Sequence, residues 1–477
     1  MDQYDPKRGG LPENGRPLFF AFAGLALVIT AAFFGPFLSN FFAFDDFAIL
    51  EHINQGPKAV LLGYNYILRF VANAAAWPLY AVSGYDPFGY NLFGAFLWCL
   101  NAILFYRFLN RLLADRWCAF VAATIFVASA VGIDAALWKA ANSTLLNLAF
   151  YLLTLHAYVV FRRTGNRRQW WLSLCWFAMA VFSKEEAASL PFVVGLLELF
   201  WFDGLREKKA VVLRLAAYCA VVVFYVLLNY VVTYQIFGTQ AEVARYSGFR
   251  PLRSLFTGFT AFFLTPDSRW GANDLRLYLT CLLVPLSFLL VKDRRLLILG
   301  YAWVFFTFLP QSLSTLTQLE PRYICNSLSR HLYLPSAGAA IVLAALLMRL
   351  RDRLSPRLAA GIIGFCLAGF VGFNLWQAQV RGRVWQQEGE GMQRFLTALM
   401  QEVPQFPPHT FLYVNNAPAG RAFVQQALRA FYRNPSITWI NDPNSYRRKP
   451  GENALLIDTL WQEDGTVRFA FYRFGSP

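Results

Sequence analysis

Long apolar segments recur along most of the chain and alternate with short polar segments. Each has about the 20 residues that a helix needs to cross the hydrocarbon core of a bilayer. The pattern therefore predicts a polytopic membrane protein with about eleven transmembrane helices. The predicted spans are residues 17–38, 89–106, 117–136, 143–161, 169–183, 186–202, 211–233, 276–291, 296–313, 331–348 and 358–376.

The composition supports this interpretation. Of 477 residues, 57% are hydrophobic and 15% are charged, whereas soluble domains contain about 25% charged residues. An ordinary soluble enzyme is thereby excluded, and the 47 Phe, 22 Tyr and 14 Trp exclude a disordered chain. A net charge of +15 suggests nucleic-acid binding in a soluble protein. Here the basic residues lie largely between spans, so we expect the lipid bilayer and no nucleic acid as a partner.

Basic residues are concentrated in alternate loops, for example Arg107 and Arg111, then Arg162 and Arg163. The positive-inside rule then predicts a cytoplasmic N-terminus and an extracytoplasmic C-terminus. We expect a cytoplasmic tail at 1–16 and a transmembrane domain at 17–376. Its longer outer loops are predicted at 39–88, 234–275 and 314–330.

The C-terminal segment, residues 377–477, differs from the rest of the chain because charged residues and prolines replace the apolar runs. From about residue 404 its pattern predicts a strand (411–415), a helix (420–433), a strand (437–440) and a hairpin around Gly465. The predicted fold is therefore an all-α membrane domain followed by a small extracytoplasmic α/β domain.

Asp45 and Asp46 directly follow the first span, within an aromatic sequence at the predicted outer face. Two adjacent carboxylates raise one of the two pKa values, which suits a general base or a metal ligand. A helix cap is the structural alternative, because Asp is favoured at a helix start.

Three further groups of polar residues are predicted at the same face. Arginine has a planar fork that suits phosphate. Structural roles stay open, because Lys184 and Glu185 could neutralise each other in a helical hairpin and a lone histidine is commonly structural. The candidates are Lys184 and Glu185, then Arg322, Arg330, His331 and Tyr333, and a weaker group of Trp138, Lys139 and Asn142.

These groups are distant in sequence, yet the topology brings all of them to one membrane face. A carboxylate with several cations fits a reaction on a phosphate-bearing lipid, since the carboxylate accepts a proton and the cations hold the phosphate. A transporter would carry its ionisable groups near the bilayer midplane, where His156 and Glu198 are the main candidates. An interfacial enzyme is favoured; a lipid-linked sugar flippase or polysaccharide exporter is the alternative, and a non-enzymatic scaffold is a third.

Three motifs together resemble those of the C-type (GT-C) integral-membrane glycosyltransferases. They are Asp45-Asp46 after the first span, Lys184-Glu185 with Pro191 downstream, and the run from Arg330 to Ser336. The resemblance covers residues 17–376 and is closest to the protein O-mannosyltransferase and TMTC-like branch with its bacterial relatives. It implies transfer of a monosaccharide from a polyprenyl-phosphate donor to an extracytoplasmic acceptor, with inversion, in the bacterial inner membrane.

The resemblance also implies roles for individual residues. Asp45 or Asp46 would be the catalytic carboxylate, with Asp45 preferred. Contacts to the donor phosphate or sugar would come from Lys184, Glu185, Arg322, Arg330, His331 and Tyr333.

Two departures leave the acceptor open as a glycan, a lipid or a protein. A small α/β domain replaces the tetratricopeptide repeats, and Arg330-His331-Leu332-Tyr333 replaces Arg-Tyr-Leu-Tyr. Metal dependence varies in this superfamily, so a divalent cation is the one cofactor left open.

Overall fold

The structure is a computed structural model. It describes residues 16–62, 68–113, 115–202, 204, 206–233, 275–291, 293–312, 329–443, 446 and 452–473. The predicted outer loop at 234–275, apart from Leu275, and most of the loop at 314–330, including Arg322, lie outside the described residues.

The described residues are mainly helical. The segment predicted as the first outer loop contains three helices, α2 to α4 in the list that follows. In chain order the helices are α1 (Arg16–Phe34), α2 (Asp46–Gln55), α3 (Pro57–Leu62), α4 (Phe70–Ser83), α5 (Pro87–Leu112), α6 (Arg116–Val127), α7 (Asp134–Leu137), α8 (Asn142–Thr164), α9 (Arg167–Ser183), α10 (Leu190–Phe200), α11 (Lys208–Thr233), α12 (Leu275–Leu290), α13 (Arg294–Ser312), α14 (Tyr333–Arg351), α15 (Pro356–Glu402) and α16 (Arg421–Phe431).

Within the described residues, six helical segments are long and apolar enough to cross a bilayer. The chain is therefore a multi-pass membrane protein. Helices α9, α10, α12 and α13 coincide with further predicted spans but are shorter or less apolar. The six segments are Arg16–Phe37, Pro87–Leu112, Lys139–Thr164, Lys208–Thr233, Ser329–Arg351 and Pro356–Glu402.

The predicted span at 117–136 is wrong as a single helix. Helix α6 ends at Val127, and a 3₁₀ turn at Ala130–Gly132 and α7 follow. The chain can leave the helix because its polar groups find tertiary partners; the Ala130 amide donates to Asn374 Oδ1 at 2.9 Å. Gly132 packs so tightly that a Cβ there would lie 2.6 Å from the Cα of Tyr333.

The last helix, α15, is 47 residues long, or about 70 Å at 1.5 Å per residue. It begins with Pro356 after Ser355, a favoured helix start. The predicted span at 358–376 forms only its first part, because the helix continues to Glu402 and leads directly into the α/β domain.

The C-terminal domain contains β1 (Thr410–Asn415), β2 (Thr438–Trp439), β3 (Asn453–Trp461) and β4 (Val467–Arg473). The strand order is β2-β1-β3-β4, with β1 parallel to β2 and β3, and β4 antiparallel to β3. Helix α16 buries Val424, Ala427 and Leu428, which have helical spacing. The predicted order of strand, helix, strand and hairpin is confirmed.

Candidate active site

The aspartate pair lies at a sharp turn between the first span and α2. Phe44 has a φ of 51°, a left-handed conformation that costs about 1–3 kcal/mol for a residue with a side chain. Its ring is held by Trp385 (5.8 Å between centroids) and Phe423 (5.4 Å). The surrounding packing therefore fixes the backbone immediately before Asp45.

Asp46 is buried, with 2% of its surface exposed. Its Oδ2 accepts from the Ala43 amide (3.0 Å) and its Oδ1 from the Ala140 amide (2.7 Å), and Lys139 Nζ lies 3.9 Å from Oδ2. Burial raises the pKa of Asp46 to about 6, although the nearby Lys139 charge opposes the shift. Asp46 thus joins the start of α2 to the turn that precedes α8.

Asp45 is half-buried and faces a cavity of about 140 Å³. Polar side chains from distant segments meet there, and an apolar wall from α4, α5 and α8 faces them. The polar lining includes Asp45, Asp46, Arg69, Asn73, Lys139 and Asn142; the apolar lining includes Ala72, Ala76, Leu79, Phe93 and Leu146.

Arg69 lines this cavity and forms a two-point ion pair with Glu185. Arg69 Nη2 is 2.6 Å from Oε1, and Nε is 3.0 Å from Oε2. Burial by itself would raise the pKa of Glu185, but the charge and hydrogen bonds of Arg69 together with the charge of Lys184 lower it. Glu185 is therefore held as a carboxylate.

Lys184, Glu186 and His331 form a buried cluster that is not part of the cavity lining. Lys184 Nζ lies 2.9 Å from Glu186 Oε1 and donates to Thr144 Oγ1 at 2.8 Å. His331 Nδ1 lies 2.6 Å from the same Glu186 oxygen. Two of the predicted donor contacts, Lys184 and His331, are thus buried and paired with the Glu186 carboxylate.

Arg330 stacks on Trp138, with its guanidinium carbon 4.3 Å from the ring centroid. Its charge interacts electrostatically with those of Asp45 and Arg69. Tyr333 lies instead in the membrane-domain core, where its ring contacts Trp98 (4.6 Å between centroids). We do not include Tyr333 in the proposed site, because it is 1% exposed and does not line the cavity.

The sequence reasoning missed Arg69 and a second buried carboxylate, Asp134. Asp134 accepts from Trp385 Nε1 (2.8 Å), from Arg381 (2.5 Å) and from the Ser329 hydroxyl. It thereby connects α15 to the residue before Arg330. The signal for Arg69 in the sequence is a single cation before an apolar run. Asp134 has no comparable signal, because it lies within the predicted span at 117–136.

In the parts of the chain that the structure describes, no three His, Cys, Asp or Glu side chains come together as candidate ligands. Asp46 is already occupied by two backbone amides and adjoins Lys139.

A known protein and several solved structures resemble parts of the chain. No protein-family model matches the chain. A segment is 29% identical over 145 residues to Protein O-mannosyl-transferase Tmtc2 of Drosophila melanogaster, which is 29% of this chain and 15% of that protein. This match confirms the resemblance to the O-mannosyltransferase-like glycosyltransferases that the motifs indicate. The chain matches only a small part of that relative.

Two solved structures also resemble the chain. ArnT from Cupriavidus metallidurans, bound to undecaprenyl phosphate, has 14% identity and a TM-score of 0.49, with 94% of each chain covered. The Archaeoglobus fulgidus oligosaccharyltransferase has 12% identity and a TM-score of 0.49, covering 87% of this chain and 62% of that one. At such scores and identities these likenesses do not by themselves define an activity.

Proposed function

We propose that this chain is an inverting glycosyltransferase that moves a monosaccharide from a polyprenyl-phosphate donor to an acceptor at the extracytoplasmic face of the bacterial inner membrane. The observation that carries the proposal is that Asp45 and the Arg69 guanidinium line one cavity that also has an apolar wall. A lipid-linked sugar presents a phosphate, a hydroxylated ring and a hydrocarbon chain, and the cavity offers a matching surface for each.

Asp45 is the proposed general base. It lies on the cavity wall and is partly exposed, whereas both oxygens of Asp46 accept from backbone amides. Asp45 would remove the proton of the acceptor hydroxyl as that oxygen attacks the anomeric carbon. The bond between that carbon and the phosphate oxygen then breaks, and polyprenyl phosphate leaves with the electron pair.

Arg69 and Arg330 are the proposed contacts for the leaving phosphate. Both carry the planar fork that binds oxyanions at two points. Arg69 lines the cavity with Asp45, and Arg330, which is outside the cavity lining, interacts electrostatically with Asp45. Holding the phosphate stabilises the negative charge that grows on it during transfer. Glu185 holds Arg69 in an ion pair, Lys184 and His331 are paired with Glu186, and Arg322 remains a proposed contact from the resemblance.

The test is transfer by purified protein in proteoliposomes, with a panel of radiolabelled undecaprenyl-phosphate monosaccharides. Because the acceptor is unidentified, release of free sugar by transfer to water is measured together with transfer to a membrane extract. Asp45→Asn should abolish both products, whereas Asp464→Asn, on the hairpin between β3 and β4, should retain wild-type rates.

Full turnover by Asp45→Asn would overturn its assignment as the base. Movement of labelled lipid across the bilayer, with neither free sugar nor a glycosidic product, would instead favour a flippase or exporter. Asp46→Asn is expected to reduce the rate by disturbing the loop that presents Asp45.

A further inference from the structure

Helix α2 lies between the cavity and the C-terminal domain. Asp46, Ile49 and Leu50 line the cavity, whereas Phe47, Glu51 and Asn54 contact the α/β domain. Successive residues lie about 100° apart around a helix, so these two sets occupy adjacent faces of α2. The first face meets the cavity and the second meets the α/β domain.

Helix α16 contacts this second face near the end of α2. Arg429 Nη1 lies 3.2 Å from Glu51 Oε1, and Asn54 Nδ2 donates to the Ala430 carbonyl at 2.8 Å. Glu51 is 6% exposed. A nearly buried carboxylate needs a partner, so this pair specifies how the two helices are aligned.

The two ends of α16 also pack on the aromatic residues that flank the aspartates. Phe431 contacts Phe41 (5.8 Å) and Phe47 (6.3 Å), measured between ring centroids. At its other end Phe423 contacts Phe44, the left-handed residue before Asp45, at 5.4 Å. The α/β domain thus contacts α2 along its length and also contacts the turn that starts it.

Arg429 is itself fixed within the α/β domain, because its Nε donates to the Ile437 carbonyl at 2.7 Å. The position of Glu51 is consequently fixed relative to α16 and to the residue before β2 through the Arg429 guanidinium. Arg421 instead bonds within the α/β domain, where its Nη1 donates to Asn441 Oδ1 at 2.6 Å. The two arginines lie on one helix and differ in whether they contact α2.

We propose that the α/β domain is a structural part of the active site and that Arg429, through Glu51, is a positioning residue for the aspartates on α2. This inference rests on the proposed glycosyltransferase function. Neither Arg429 nor Glu51 contacts substrate in this proposal. They set the distance between Asp45 and Arg69 across the cavity.

The experiment compares Glu51→Ala, Arg429→Ala and the control Arg421→Ala in the full-length protein. Glu51→Ala is included because Arg429→Ala also loses the bond to Ile437. Misplacing a catalytic group by about 1 Å costs about 100-fold in rate, so we expect kcat to fall about 10-fold or more in both test variants. The KM for the donor should stay close to wild type. Arg429→Lys should recover part of kcat.

Amide hydrogen exchange over residues 46–55 gives a readout that does not depend on activity. Exchange should be faster in Glu51→Ala and Arg429→Ala and unchanged in Arg421→Ala. Wild-type kcat in both test variants, or exchange equal to that of the control, would overturn the inference. A wild-type protein without transferase activity would overturn the proposed function, while exchange would still decide whether α16 holds α2.

Discussion

The guanidinium of Arg69 holds both carboxylate oxygens of Glu185, at 2.6 and 3.0 Å, at the edge of the cavity that contains Asp45. A carboxylate is a planar oxyanion and fills the same fork that a phosphate would fill. Both side chains are partly exposed, at 29% and 22%. We therefore expect a donor phosphate to compete with Glu185 for the Arg69 guanidinium.

The first prediction concerns this competition. Arg69→Lys should raise the KM for the donor about 10-fold, which is about 1.4 kcal/mol, because a lysine cannot bind phosphate at two points. Glu185→Gln should lower that KM, because the neutral amide competes less well for Arg69. Steady-state kinetics with the polyprenyl-phosphate donor measure both. Arg351→Lys, whose partner is Asp115, is the matched control; an increase in KM in Glu185→Gln would show that Glu185 supports donor binding.

The second prediction concerns pH. The pKa of Asp46 is about 6 in the folded protein and about 4 in an unfolded chain. Between these values the folded state binds more protons, so the free energy of unfolding decreases as pH rises from about 4 to about 6. The difference amounts to about 3 kcal/mol.

Thermal unfolding of the protein in detergent, measured across that interval, tests this expectation. Asp46→Asn should have a smaller decrease in melting temperature with rising pH than the wild type. Equal slopes in the two proteins would contradict the raised pKa.

The third prediction concerns Asp134. Asp134→Asn removes the buried carboxylate that accepts from Arg381 and Trp385, which should destabilise the fold by about 3–5 kcal/mol. The double variant Asp134→Asn with Arg381→Gln should regain part of this loss. Glu390→Gln removes an exposed pair with Arg394 and should cost below about 0.5 kcal/mol. The measurement is the melting temperature of the wild type and of the three variants. Similar losses of stability in Asp134→Asn and Glu390→Gln would contradict the prediction.

The fourth prediction uses two glycines. Gly132→Ala would bring a Cβ to 2.6 Å from the Tyr333 Cα, and overpacking of this kind costs about 1–3 kcal/mol. At Gly361 no atom lies within 4 Å of an added Cβ, so Gly361→Ala should be neutral or stabilise α15 by up to about 1 kcal/mol. Melting temperatures are the measurement. A tolerated Gly132→Ala would mean that the 130–132 turn can shift away from Tyr333.

The sequence predicted much of the architecture. Apolar runs of bilayer length coincide with helices, and the periodicity around Val424 and Leu428 marks α16 within the α/β domain. The predicted span at 117–136 was wrong as a single helix, because hydropathy does not distinguish one apolar helix from a helix followed by buried turns. The membrane orientation of the termini remains a prediction from the distribution of basic residues.

The sequence alone determined which segments are helical and apolar, and it identified Asp45, Asp46, Arg330 and Glu185 as residues worth testing. Those properties depend on neighbours within a few positions along the chain. Only the tertiary structure decided that Asp46 is occupied by backbone amides and that Lys184 is sealed against Glu186. The partners of a polar side chain come from distant segments, and their identity depends on how the helices pack. For the same reason, the partners of Arg69, Asp134 and Arg429 became visible only in the folded chain.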